Sequence, residues 1–139
     1  TSGADLQTDM YCVAGGPGNL TTSLVYDGTN WTSGTSLSGD GRRGCGGAMA
    51  TSSSAGFVTC GETATVNPVS ITEEWDGTSF SSSTACPTAT RDPASNDGGT
   101  GAAGLVVGGY STAINANVFE FTGGDIQETQ TMNAKAKLG

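Results

Sequence analysis

Apolar positions in this chain come in short runs that end in glycine, and the runs recur. Met10-Tyr11-Cys12-Val13-Ala14-Gly15-Gly16 is matched by Gly56-Phe57-Val58-Thr59-Cys60-Gly61 and by Gly104-Leu105-Val106-Val107-Gly108-Gly109. A short apolar run closed by a turn signal predicts a buried strand. A polar loop of variable length follows each run. Then comes a strand that ends on an aromatic: Ser23-Leu24-Val25-Tyr26, Thr72-Glu73-Glu74-Trp75 and Val118-Phe119-Glu120-Phe121. Asp27-Gly28 and Asp76-Gly77 then supply a tight turn, because glycine takes positive φ without strain; in the third copy Thr122-Gly123-Gly124 takes that role. Trp31, Phe80 or Ile126 starts an outermost strand. Small-residue strands are expected at residues 44–50 and, more weakly, at 98–103, where small side chains let backbones approach closely. No window carries the apolar stripe of a helix, so the pattern predicts an all-β fold.

The spacing makes this a repeat. Each aromatic (Tyr26, Trp75, Phe121) is followed at constant intervals by a large apolar residue (Trp31, Phe80, Ile126), a smaller one (Leu37, Cys86, Met132) and a cation (Arg42, Arg91, Lys137). A unit of four short strands with a period of roughly 45 residues reads as a propeller blade. Lys137 has no downstream strand of its own. Joining Gly139 to Thr1 would give it the spacing to Gly16 that Arg91 has to Gly109. The chain therefore reads as one three-blade unit over 1–139, with a split blade formed by 133–139 plus 1–37 and repeats over roughly 38–86 and 87–132. Three blades do not close a ring, which takes about four to eight. Two chains joined into a six-bladed ring is the favoured remedy; inclusion in a longer polypeptide or a head-to-tail polymer are the others.

Composition narrows the function. Among 139 residues there are 23 glycines, no His, and a net charge of −8 with only five Lys and Arg. An acidic chain without a basic patch is a poor ligand for nucleic acid or an anionic membrane surface. No run approaches the roughly 20 apolar residues of a membrane span. The chain does not begin with Met, so it is read as processed or as a piece of something longer. Cys12, Cys45, Cys60 and Cys86 allow three pairings that sequence does not choose among. Free buried thiols are favoured over a disulfide, and both over a metal site, which without His would need all four cysteines.

The full pattern is an apolar strand with Gly-Gly, a loop, then Tyr26-Asp27-Gly28-Thr29-Asn30-Trp31-Thr32 and Leu37 with Arg42 beyond it. It resembles a kelch-type β-propeller repeat. In its Gly/Ser/Thr/Ala-rich setting it is similar to degenerate kelch-like repeats in virion structural proteins of tailed phages, especially marine ones. The third copy departs by losing Asp-Gly and the Trp or Phe. The resemblance covers essentially the whole chain. It implies a non-enzymatic virion component: a propeller module on a capsid, tail or fibre that makes protein–protein or host-surface contacts. The implied partners are further copies of the chain and other virion proteins, with a host-surface glycan as an additional ligand. A secreted cell-surface or filament subunit, and a carbohydrate-binding module, are the alternatives.

Candidate residues follow from the same repeat. Arg42, Arg91 and Lys137 recur once per unit, which favours a structural task such as tying down the Asp27 or Asp76 turn. Arg43 is read as the extra cation without counterpart, hence a contact residue. Most of Tyr26, Trp31, Trp75, Phe80 and Phe121 are expected to pack between units, leaving Tyr110, in a loop, as the exposed aromatic. Asp92 to Gly98 reads as an Asx-type turn rather than a calcium loop. Asn19 and Asn30 each head a glycosylation triplet. The absent His removes the Ser-His pair and the imidazole ligands of copper oxidases with kelch architecture. Glu73 and Glu74 are adjacent on a strand and point to opposite faces. No catalytic residue, metal or cofactor is expected.

Overall fold

The computed structural model describes residues 2–3, 10–49, 55–95 and 103–131. These residues form no helix; they build twelve strands in three four-stranded antiparallel sheets. The first sheet is β1 (Ser2–Gly3), β2 (Met10–Gly15), β3 (Leu20–Tyr26) and β4 (Trp31–Ser33). The second is β5 (Gly46–Met49), β6 (Gly56–Thr59), β7 (Thr72–Trp75) and β8 (Phe80–Ser82). The third is β9 (Ala94–Ser95), β10 (Gly104–Val107), β11 (Asn117–Phe121) and β12 (Ile126–Thr131). Within each sheet, neighbours in space are neighbours in sequence. The small-residue strand expected at 98–103 is instead β9, and residues 96–102 lie outside the described residues. Residues 133–139, assigned above to a split first unit, also lie outside them; the first sheet takes its edge strand from Ser2–Gly3.

Local chemistry explains the hairpins. Asp27 Oδ1 accepts hydrogen bonds from the amides of Thr29 and Asn30, both at 2.8 Å. Asp76 Oδ1 does the same with Thr78 and Ser79, both at 2.8 Å. Gly28 and Gly77 hold the same left-handed conformation, φ 95° in each. The third turn lacks the carboxylate and uses two such residues, Gly123 and Gly124, at φ 56° and 93°.

Strand pairing fixes which residues are equivalent. Tyr26 lies opposite Met10, Trp75 opposite Gly56, and Phe121 opposite Gly104. Counting from these pairs, Tyr11, Phe57 and Leu105 correspond, and so do Cys12, Val58 and Val106. Gly15, rather than Gly16, matches Gly61 and Gly109. The backbone agrees: Ala14, Cys60 and Gly108 have φ 60°, 63° and 65°, and the glycines after them 109°, 100° and 100°.

The sheets stack face to face, with the second in the middle. All four residues of β6 are buried, and alternate side chains leave for opposite neighbours. Val58, Trp75 and Phe80 pack against Tyr11, Val13 and Leu37 of the first sheet and its following loop. Ala48, Phe57, Cys60 and Cys86 pack against Val106, Phe119, Phe121 and Ile126 of the third. The aromatics meet at tilted or offset angles, with Tyr11–Trp75 centroids 5.1 Å apart and the Phe57–Phe121 pair stacked at 4.2 Å. Phe57 sits where two glycines leave out a side chain, one in its own sheet and one in the third. A Cβ on Gly47 would lie 2.2 Å from the Phe57 carbonyl oxygen, and one on Gly104 would lie 2.4 Å from the Phe57 ring. One hydrogen bond recurs at the rim of each junction. Thr35 Oγ1 donates to the Thr78 carbonyl at 3.2 Å, and Thr84 Oγ1 donates to the Gly124 carbonyl at 2.9 Å.

Three of the five motif aromatics pack between sheets and two do not. Trp75, Phe80 and Phe121 are buried between sheets, but Tyr26 is only half-buried and Trp31 is 49% exposed. Both lie on the face of the first sheet turned away from the second. Their rings pack on each other, with centroids 5.1 Å apart.

Candidate functional site

Hydrogen bonds from the links between sheets identify the true counterparts among the cations. Arg42 N donates to the Leu20 carbonyl and Thr90 N to that of Val69, at equivalent places. Gly15 N donates to the Arg42 carbonyl, and Gly61 N to that of Thr90. Arg42 therefore matches Thr90, and Arg43 matches Arg91. Arg43 and Glu62 exchange backbone hydrogen bonds (3.1 and 2.9 Å), as do Arg91 and Tyr110 (2.9 and 2.8 Å). The reading of Arg43 as the cation without a counterpart is thus corrected: the extra one is Arg42. The segment between Leu37 and Arg42 is one residue longer than its equivalent between Cys86 and Thr90. Constant spacing from the aromatic aligned Arg42 with Arg91 and hid that insertion.

Arg42 is fully buried and bonds Glu73, Nη2 to Oε2, at 2.7 Å. The other carboxylate oxygen, Oε1, accepts from the Ser38 amide (2.7 Å), the Ser38 hydroxyl (2.5 Å) and the Gly39 amide (3.0 Å). The pair ties the link after the first sheet into the second sheet. It does not hold the Asp27 or Asp76 turn, whose carboxylates are satisfied by their own backbone amides. Those amides, Asn30 and Thr29 for Asp27, Ser79 and Thr78 for Asp76, hold both carboxyls below the usual range. Glu74 faces the other way, towards the Gly124 turn, so the two glutamates do not share a site.

The sequence candidates Arg43 and Tyr110 come together in one surface row. Arg43, half-exposed, donates through Nε to Glu62 Oε1. Arg91 Nε lies 3.9 Å from the other Glu62 oxygen, and its Nη1 lies 3.0 Å from Asp92 Oδ2. The Arg91 guanidinium sits over the Tyr110 ring at 4.8 Å from its centroid, a cation–π geometry. Tyr110 is 40% exposed, and Ile114, which bridges to it, protrudes at 89%. Asn115 anchors this tip through its amide to the Gly109 carbonyl (3.0 Å) and through Nδ2 to Thr90 Oγ1 (2.9 Å). The result is a row Arg43–Glu62–Arg91–Tyr110–Ile114 that alternates charge and ends in an aromatic and an aliphatic. Every member but Ile114 is held by backbone pairing and a side-chain contact, so the row is rigid. Glu62 and Ile114 were not singled out by sequence, and Arg91 only as a recurring structural cation; the signal for Glu62 and Tyr110 was their place directly after the hairpin glycines Gly61 and Gly109.

The remaining candidates separate. Asn30 is exposed in its turn. Asn19 is half-buried at φ 51°, and its carbonyl would lie 1.8 Å from a Cβ on Gly41, so its backbone is packed tightly on that link. The Asp92 side chain accepts from Arg91, and residues 96–98 of the turn expected there lie outside the described residues. All four cysteines are free. The Cys60 thiol is pushed up, first by its hydrogen bond with Cys86 and then by burial; the Cys45 thiol is pushed up by burial, partly opposed by the Arg42 charge. Among the described residues, no three His, Cys, Asp or Glu side chains gather as metal ligands would. A groove of about 480 Å³ opens between the first and second sheets, lined by Tyr11, Ser33, Thr35, Trp75 and Thr78 among others. Its two aromatics are 1% and 4% exposed and committed to the core, so neither offers a ring face to a sugar.

Neither the family models nor the curated proteins searched contain a match to this chain.

Proposed function

We propose that the three stacked meanders are blades of a kelch-like β-propeller, and that the protein is a non-enzymatic structural or adhesion component of a virion. The reading rests on the row Arg43–Glu62–Arg91–Tyr110–Ile114. It puts the link cations that follow the first two repeats, Arg43 and Arg91, each beside the hairpin of the next sheet, as a propeller rim would. Arg and Tyr are the residue types that anchor protein–protein contacts, because each combines a large contact area with directed polar groups. A rigid row loses little conformational entropy on binding, which suits a permanent contact on a particle better than a catalytic cycle. The partner is another virion protein or a host-surface component, with the acidic remainder of the surface limiting non-specific binding to nucleic acid.

The test is immunogold microscopy of density-banded particles from the source culture, using antibodies to the purified chain. Label on the particles is expected. Signal confined to the soluble fraction of lysed cells would overturn the proposal. Arg43→Glu with Tyr110→Ala should lower incorporation into particles at least about tenfold, as removal of two contact anchors does.

A further inference from the structure

We propose that the outer face of the first sheet is a docking surface for the outer face of the third sheet of a second copy of this chain. The inference rests on reading the sheets as blades, and it names the residues that meet.

Each sheet has two faces, and the chain shows twice what covers them. At the first junction, Tyr11 of the first sheet meets Trp75 and Phe80 of the second. At the second, Phe57 of the second sheet stacks on Phe121 of the third. Tyr11 and Phe57 are equivalent residues, and so are Trp75 and Phe121. Both junctions therefore join the same two faces in the same register, and both carry the same threonine-to-turn hydrogen bond.

Among the described residues, one face of each kind is left at the ends of the stack. On the first sheet it carries Leu24, Tyr26 and Trp31, the counterparts of Phe119, Phe121 and Ile126 in the third sheet. Those counterparts are 0%, 0% and 2% exposed, whereas Leu24 and Trp31 are 45% and 49% exposed. The sheet thus carries exposed apolar residues at the positions the other two sheets bury, which is what an interface face requires. On the third sheet the opposite face carries Leu105, the counterpart of Tyr11 and Phe57, beside Glu120, the counterpart of Glu74. Glu74 is no obstacle at the internal junction, since it lies at the rim against the Gly124 turn. Glu120 has the matching place against Thr29 of the neighbour, and no charge enters the centre of the contact. The two end faces differ from each other, so the contact is head to tail rather than two-fold. Two copies joined this way at both ends bring six sheets into one ring.

The experiment uses the whole chain. Light scattering reads the mass of the wild type. A photo-crosslinking side chain (p-benzoylphenylalanine) replaces Glu120, and that protein is mixed with isotopically labelled wild type. Capture of labelled residues 26–31 is expected. The same side chain at Glu74 is the internal control and should capture residues 123–125 of its own chain. Trp31→Asp should raise the dissociation constant at least about tenfold without changing the control capture. A folded monomer across the accessible concentrations overturns the proposal. So does capture from position 120 of any other segment of the labelled copy; with the control intact, either result leaves the blade reading standing. Failure of the control at Glu74 overturns the stacking of the blades, and the docking with it.

Discussion

At the middle of the third strand, the residue that faces the preceding sheet is Glu73 in the second sheet and Phe119 in the third. The pairing register makes them equivalent: Glu73 lies opposite Val58 and Phe119 opposite Val106. Both are fully buried. Phe119 needs nothing beyond van der Waals contact with its cluster. Glu73 needs a cation, and the one-residue insertion before Arg42 swings a guanidinium into the junction where the other link places Thr90. Two loop amides and a hydroxyl then satisfy the remaining carboxylate oxygen. The same backbone arrangement is therefore closed in two ways. The aromatic junction tolerates any neighbour of the right shape, while the ionic junction accepts only a link that supplies a charge. A buried pair of this kind contributes little net stability against an apolar replacement, but it is costly to break.

Mutations test that difference directly. Phe119→Glu places a carboxylate at the counterpart of Glu73, where the link supplies Thr90 in the place of Arg42; it should cost on the order of 5 kcal/mol or more and leave the chain unfolded by circular dichroism. Glu73→Gln leaves Arg42 buried and uncompensated, and urea denaturation should show a loss of about 3–5 kcal/mol. The double change Arg42→Met with Glu73→Leu should recover that loss and come out neutral or up to about 4 kcal/mol more stable. If the double variant were as unstable as Glu73→Gln, the ionic junction would be contributing more than charge satisfaction. The smaller effects concern what the junctions share. Thr35→Ala and Thr84→Ala should each cost about 0.5–1.5 kcal/mol, and by the same amount, because they remove the same rim hydrogen bond from two chemically different junctions. The turns of the first two sheets should respond to acid and the third should not. Their backbone amides hold the folded carboxyls of Asp27 and Asp76 below the usual carboxylate range, so their contribution is complete at neutral pH and fades as the pH falls through the lowered value. Amide exchange at Thr29 and Thr78 should quicken in that range, with Gly124 unaffected.

Much of the scaffold was legible because it is local. Gly28 and Gly77 require positive φ, the aspartates before them bond their own backbone, and Thr122-Gly123-Gly124 substitutes two glycines for that carboxylate. Such features depend on a few consecutive residues, and they mark three hairpins and the all-β class without reference to the rest of the molecule. The opposite orientation of Glu73 and Glu74 followed from the strand period alone. The candidate site was legible only in part. Arg43 and Tyr110 were named, but for Arg43 the reason was wrong: it is the repeated cation, and Arg42 is the exception. An insertion in a link shifts one-dimensional spacing, whereas the hydrogen bonds of Gly15 and Gly61 register the chain in space.

The sequence by itself therefore determined the number of repeats, the turn geometry, the strand alternation and the acidic, His-free character that narrows the chemistry. Only the tertiary structure decided which arginine is buried against Glu73, which aligns with Glu62 and Tyr110 on the surface, and why Trp31 is exposed while its counterparts Phe80 and Ile126 are not. These outcomes depend on which sheet lies beside which. A residue's place in its repeat fixes the direction its side chain points, and the order of the stack fixes whether anything is there to meet it.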